Sequence, residues 1–244
     1  MAGTDQLPDV MDRITALSDA GDHAAALRLA DEVVAADPER AAAHTARAWA
    51  LENLGPERLA QARDAYRDAL RSDPTELWAK EGLSTVLRKL GQGDEADELC
   101  REVIEEAAAR AASEVELIEL LGWCQYRLGQ HEEASTTFRR ALATDPDWVS
   151  VRFDLALALL CEGNGPAALA EYAACLALAD SGRLGPVDGL VAVAFDDLET
   201  AIAEHPGLLE MPETTTARDL LRPAQRPDPG LPMGGSWSVR ASGS

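Results

Sequence analysis

"RLGQHEEASTTFRRALATDP" runs from Arg127 to Pro146. Behind Gly129, the small or apolar residues Ala134, Phe138 and Ala141 follow at spacings of four and three, which is one stripe of a helix. The stretch has echoes. Asp-Pro also stands at Asp37-Pro38 and Asp73-Pro74, at intervals of 36 and 72 residues. Reading back from Pro38 gives Val33, Ala30, Ala26 and Gly21. Reading back from Pro74 gives Ala69, Tyr66 and Ala62, with Gly55 displaced by two extra residues in "GPERLAQA". Two copies lack the proline: Gly91, Ala96, Cys100, Val103, and Gly163, Ala168, Tyr172, Cys175. A period of this length marks a repeat architecture.

Each unit reads as two helices. Small residues at the Ala134-type positions let antiparallel helices approach closely, and the Phe138-type positions fill the gap to the next pair. Glycine ends the first helix because it accepts the left-handed conformation there. Proline ends the second. A single pair cannot bury its apolar stripe, whereas stacked pairs bury it continuously.

"LLGWCQYRLGQHEEASTTFRRALATDP", with Leu121-Gly122 in its first helix, resembles the tetratricopeptide repeat (TPR) family. The resemblance implies an all-α, right-handed superhelical solenoid and covers about five units, at 7–40, 41–76, 77–114, 115–148 and 149–182. The third unit carries about four extra residues, so its second helix is expected to be longer, with Ser113 and Glu116 forming a capping box for the next helix. Pro166 opens the second helix of the fifth unit. Beyond the repeats, Leu190, Ala194, Leu198 and Ala201 form one stripe, with Val191, Phe195 and Ile202 beside it, and predict a capping helix over 183–206. Residues 207–244 read as a mostly irregular tail rich in Pro, Gly and Ser, with a short helix at "ETTTARDLLR".

The chain has 43 acidic and 22 basic residues in 244, a formal net charge of −21. Residues 205–244 hold four of each sign, so the repeats and the capping helix carry the whole excess. Such a surface repels phosphate backbones and steers basic partners, which argues against nucleic acid. The start "MAGTDQLPDV" has neither the charge nor the apolar core of a signal peptide. The longest apolar run, "LALALLC", is too short for a membrane span. A cytoplasmic location and no membrane contact are expected. Cys100, Cys124, Cys161 and Cys175 lack metal-ligand spacing and read as small buried residues.

Carrying over the family's concave face, lined by the first helix of each pair, places Trp49, Glu52 and Asn53 of the second unit in one groove. The third unit contributes Trp78, Glu81 and Arg88, together with Thr85 and Lys89. From the fourth come Glu116, Glu119, Trp123, Tyr126 and Arg127, and from the fifth Trp148 and Phe153. Trp78, four residues before Gly82, fits packing between repeats as well as the groove. The family's carboxylate clamp is absent, because Met11, Thr15, Ala46 and Gly82 hold its places. His23 and His131 share one repeat position and read as turn packing. No phosphate loop, H-E-x-x-H or nucleophile elbow is present, so no catalytic residue, metal or cofactor is expected. The leading expectation is a non-catalytic adaptor whose groove takes a peptide with basic and apolar residues. Two alternatives stay open: self-association or docking of the tail segment around Trp237 and Arg240, and a small molecule or peptide intermediate in the groove.

Overall fold

The computed structural model describes residues 7–110, 117–180 and 188–222. Among these residues every regular element is helical. Five pairs follow one another: α1 (Leu7–Asp19) with α2 (His23–Ala36), α3 (Ala41–Asn53) with α4 (Leu59–Ser72), α5 (Leu77–Lys89) with α6 (Gly93–Arg110), α7 (Leu117–Arg127) with α8 (His131–Thr144), and α9 (Val149–Cys161) with α10 (Gly165–Asp180). Consecutive helices pack on each other along the whole series, as in a solenoid. Two further helices follow, α11 (Asp188–Glu204) and α12 (Pro212–Leu221).

The periodic stripe is the core. Ala26, Ala62, Ala96, Ala134 and Ala168 are all fully buried, and so are Ala30, Tyr66, Cys100, Phe138 and Tyr172 at the next position. Close approach is visible at Gly122, where an added Cβ would stand 2.5 Å from the Phe138 ring. At Gly82 it would stand 2.2 Å from Tyr66. These distances explain why the first helices carry glycine in mid-helix despite its entropic cost.

The turns repeat as closely as the core. Gly129 has φ 74°, and the amide of Gln130 donates back to the Gln125 carbonyl at 2.9 Å, closing a Schellman-type end. The same pairing recurs after Gly21, Gly91 and Gly163. Aspartate precedes proline because it folds the turn: Asp73 Oδ1 accepts from the Thr75 amide at 2.9 Å, and Asp145 Oδ1 from the Asp147 amide at 3.0 Å.

The longer second helix expected in the third unit is present, since α6 has 18 residues against 14 in α2, α4 and α8. Its Glu102 and Glu106 accept from Lys80 Nζ of α5 at 3.0 and 2.7 Å. Ser113 and Glu116 lie outside the described residues.

After the repeats the arrangement departs from a simple end cap. It is α12, within the stretch read as tail, that packs on α10, with Thr214, Ala217 and Leu221 buried. Arg218 pairs with Glu199 of α11 through both carboxylate oxygens. Helix α11 packs on α9 and α12 and reaches α1, so it crosses the inner face of the stack. Its expected stripe is the buried one: Ala194, Leu198 and Ala201 join the core, with Val191, Phe195 and Ile202 packed against it. Trp237 and Arg240 lie outside the described residues.

Candidate functional site

The first helices of the second to fifth pairs converge with α11 on one cavity of about 240 Å³. Trp49, Glu52 and Asn53 reach it from α3, and Trp78, Glu81, Thr85 and Lys89 from α5. Glu119, Trp123 and Arg127 come from α7, and Ser150 and Asp154 from α9. Leu190, Val193, Asp196 and Asp197 of α11 form its roof. A second cavity of about 460 Å³ adjoins it toward α1, sharing Trp49, Tyr66, Trp78 and Glu81 and adding Met11, Ile14 and Thr15.

Five stacked helix pairs, each with a positive-φ glycine in its turn, are the features of one repeat family. Models of the tetratricopeptide repeat match residues 11–76, 75–147 and 119–183. The chain belongs to the tetratricopeptide repeat family.

Among solved TPR structures, a thermophilic protein from Thermus thermophilus matches with a TM-score of 0.58 and 21% identity, over 84% of this chain and 99% of its own. The YrrB protein, described as having an unusual peptide-binding site, matches with a TM-score of 0.40 and 22% identity, over 78% and 97%. MamA from Desulfovibrio magneticus RS-1 does so at 0.43 and 20%, over 75% and 100%. At such identities the likeness is one of fold. Among curated proteins, none matches the sequence.

Within this TPR groove the expected residues separate into three groups. Trp49, Glu52, Asn53, Trp78, Glu81, Glu119, Trp123 and Arg127 border the cavity together. Trp78 is 41% exposed, so it forms a rim and not a packing plug. Four others turn elsewhere. Arg88 reaches back to Asp97 of α6 at 2.6 Å. Tyr126 stacks on Trp123 at 5.2 Å and is itself buried in the core. Phe153 is buried in the same apolar cluster as Ala194 and Leu198 of α11, and Trp148 packs against that cluster. Glu116 lies outside the described residues. His23 stands edge-on to Trp49 at 5.3 Å and His131 beside Tyr126 at 5.3 Å, both at helix starts.

Asp154, Ser150 and the α11 carboxylates were not read from the sequence. Asp154 did carry a signal, as the one acid in the otherwise apolar run of α9 after Arg152. The α11 residues carried none, because a stripe identifies a buried face without naming its partner.

The electrostatics are lopsided. Six carboxylates border the cavity against two cations. Lys89 Nζ donates to Glu52 at 2.7 Å, and Glu52 also accepts from the Tyr66 hydroxyl at 3.3 Å. Arg127 has only 7% of its side chain exposed; it lies 4.6 Å over the Trp123 ring and 4.0 Å from Asp197. Among the described residues, the Glu81 carboxylate accepts only from the Thr85 hydroxyl at 2.9 Å, and the Glu119 carboxylate only from Ser150 at 2.7 Å. Burial, reinforced by Glu52, pushes the Glu81 carboxyl up to about 7. Burial likewise pushes Asp197 up to about 6 against the pull of Arg127 and Lys89. Glu119 rises by burial too, and Asp154 rises well above the carboxylate range by burial and the nearby Glu119, Asp197 and Glu81. Burial and mutual repulsion thus make these acids hold their protons more tightly than free carboxyls do.

Proposed function

We propose that this TPR chain is a non-catalytic, cytoplasmic adaptor that binds a peptide segment with basic and apolar residues on its inner face. The observation that supports this most is the convergence of three tryptophans and six carboxylates on one cavity. Aromatic walls supply contact area at low entropic cost, and an acidic lining selects for basic side chains and against acidic ones. The test is a tryptophan-fluorescence titration with short peptides that alternate arginine and leucine. Saturable binding is expected, weakened at least tenfold by Trp123→Ala while helix content holds. Equal binding of a glutamate-leucine control, or no change in the variant, would refute the reading.

A second reading follows from α11, which already lies on the inner face. In this self-occluded form α11 is the resident occupant, and a partner peptide must displace it or thread beside it. Mass measurement and hydrogen exchange on chains ending before Asp188 separate the two: faster peptide association without α11 favours occlusion, and unchanged association favours an open path.

A further inference from the structure

Arg127 carries a permanent charge into the groove wall and finds no hydrogen-bond acceptor there. Its side chain is 7% exposed and borders the cavity. Nε is enclosed without a partner, and among the described residues none of the side-chain N–H groups donates a hydrogen bond. The ion pair with Asp197, at 4.0 Å, lies beyond hydrogen-bond reach. The ring contacts, at 4.6 Å to Trp123 and 5.9 Å to Tyr126, are electrostatic and satisfy no N–H. The other cations of the inner helices are committed. Lys89 donates to Glu52 at 2.7 Å and Arg88 to Asp97 at 2.6 Å, while Arg152 donates to Glu171 at 2.5 Å and to the Pro146 carbonyl at 2.6 Å. A guanidinium has five donors in a fixed planar fork and cannot shed its proton. Enclosing one with its donors unmet is costly, and a ligand that brings acceptors removes that penalty.

We propose that Arg127 is a binding residue that holds the carbonyl oxygen of an uncharged amide group, fixing the ligand at the Trp123 wall of the cavity. The surroundings select an uncharged acceptor. Six carboxylates and two cations border the cavity, so a ligand carboxylate or phosphate would meet an excess of its own sign. A carbonyl accepts from the fork without adding charge. The cavity of about 240 Å³ is roughly eight times the ~30 Å³ share of one water, which accommodates an amide with its flanking carbons.

Two sources present this chemistry, a main-chain carbonyl of a bound peptide and an amide on a free small molecule. The first rests on the peptide-binding reading above; the second does not. Titration calorimetry on the full-length protein uses the arginine-leucine peptide, the same peptide with one carbonyl at a time changed to a thiocarbonyl, and N-acetyl-leucinamide. The thiocarbonyl is a weaker acceptor and leaves its N–H in place. At one position it is expected to weaken binding to the wild type about fivefold. Arg127→Met keeps an unbranched stem and removes the donors; it is expected to bind the intact peptide at least tenfold more weakly, with no further loss from that thiocarbonyl. The variant removes an enclosed charge, so its thermal midpoint holds or rises. If it fails to fold, Arg127→Lys, which keeps the charge and loses the fork, provides the same comparison. A residue that only pins α11 through Asp197 would show no coupling to a single carbonyl, and Asp197→Asn would reproduce its effect. N-acetyl-leucinamide is expected to bind more tightly than N-acetyl-leucine; the reverse order overturns the uncharged acceptor. Binding of N-acetyl-leucinamide that is lost in the Arg127 variant, without peptide binding, assigns a free amide. Peptide binding that falls in Trp123→Ala with no carbonyl coupled to Arg127 leaves the groove standing and overturns the seat. Binding of neither probe overturns both.

Discussion

Glu81→Gln turns the charge imbalance of the groove into a stability measurement. The carboxyl faces Glu52 from α3, Arg127 from α7 and Cys100 from α6, and its one hydrogen bond comes from Thr85 on its own helix. Burial raises it from 4.5 to about 7. The folded state therefore holds its proton more tightly than the unfolded state does. Stability from this group is fully present below pH 4.5 and is lost as pH rises through about 7. At about 1.4 kcal/mol per unit the whole shift corresponds to roughly 3 kcal/mol. Solvent reaching the side chain through the cavity reduces this to about 1–2 kcal/mol. Glutamine keeps the shape and accepts from Thr85, but never ionises. In urea titrations between about pH 4 and 8, read by tryptophan fluorescence, the variant is expected to match the wild type at the acid end. Its advantage should then grow to about 1–2 kcal/mol at the alkaline end. Asp197, pushed up to about 6, leaves a residual slope in both proteins at lower pH. An advantage independent of pH, or a wild type that is the more stable protein at the alkaline end, would refute the reasoning.

Other perturbations test separate parts of the structure. Gly122→Ala puts a Cβ 2.5 Å from the Phe138 ring; it is expected to cost about 1–3 kcal/mol by thermal denaturation, and less in a Phe138→Leu background. Leu198→Asp places a charge at a fully buried position of α11; hydrogen exchange should accelerate in α11 while α4 and α5 keep their protection. Binding of the arginine-leucine peptide should weaken with added salt as the screening length shortens from about 10 Å at 0.1 M to about 3 Å at 1 M. A salt-independent affinity would place the peptide away from the carboxylates.

Repetition made the core legible. Each position of the stripe is written five times, and small departures such as Val33 for Ala141 do not obscure it. It also made much of the groove legible. Asn53, Lys89 and Arg127 all stand two residues before their turn glycines, and all three border the cavity. Register alone does not settle where a long side chain ends. Arg88 lies one residue earlier than Lys89, and the 100° between them is enough for its guanidinium to find Asp97 on the neighbouring helix. Phe153 holds the register of Glu81 and Glu119, the right one for an open groove, but it is buried in a cluster with α11. Asp154 shares its register with Ala46, Gly82 and Leu120, small or apolar positions of the other units, so no repeat copy announced a site acid there.

Helix α11 has no copy at all, and that accounts for the largest difference between the sequence reading and the fold. Its apolar stripe identifies Leu198 and Ala201 as buried, yet a stripe is equally satisfied by the end of the stack or by its inner face. Charge separates the two. Asp197 stands 4.0 Å from Arg127, and Lys89 pulls on Asp196 as well as Asp197. The end of the stack is instead met by α12 on α10, tied to α11 through Arg218 and Glu199. The same placement adds two carboxylates to a groove that already had four. In an open groove, water would solvate those charges and the acids would be an ordinary polar face. Helix α11 thus narrows the groove and adds Asp196 and Asp197 to its acidic lining, which the repeats alone would leave at four carboxylates.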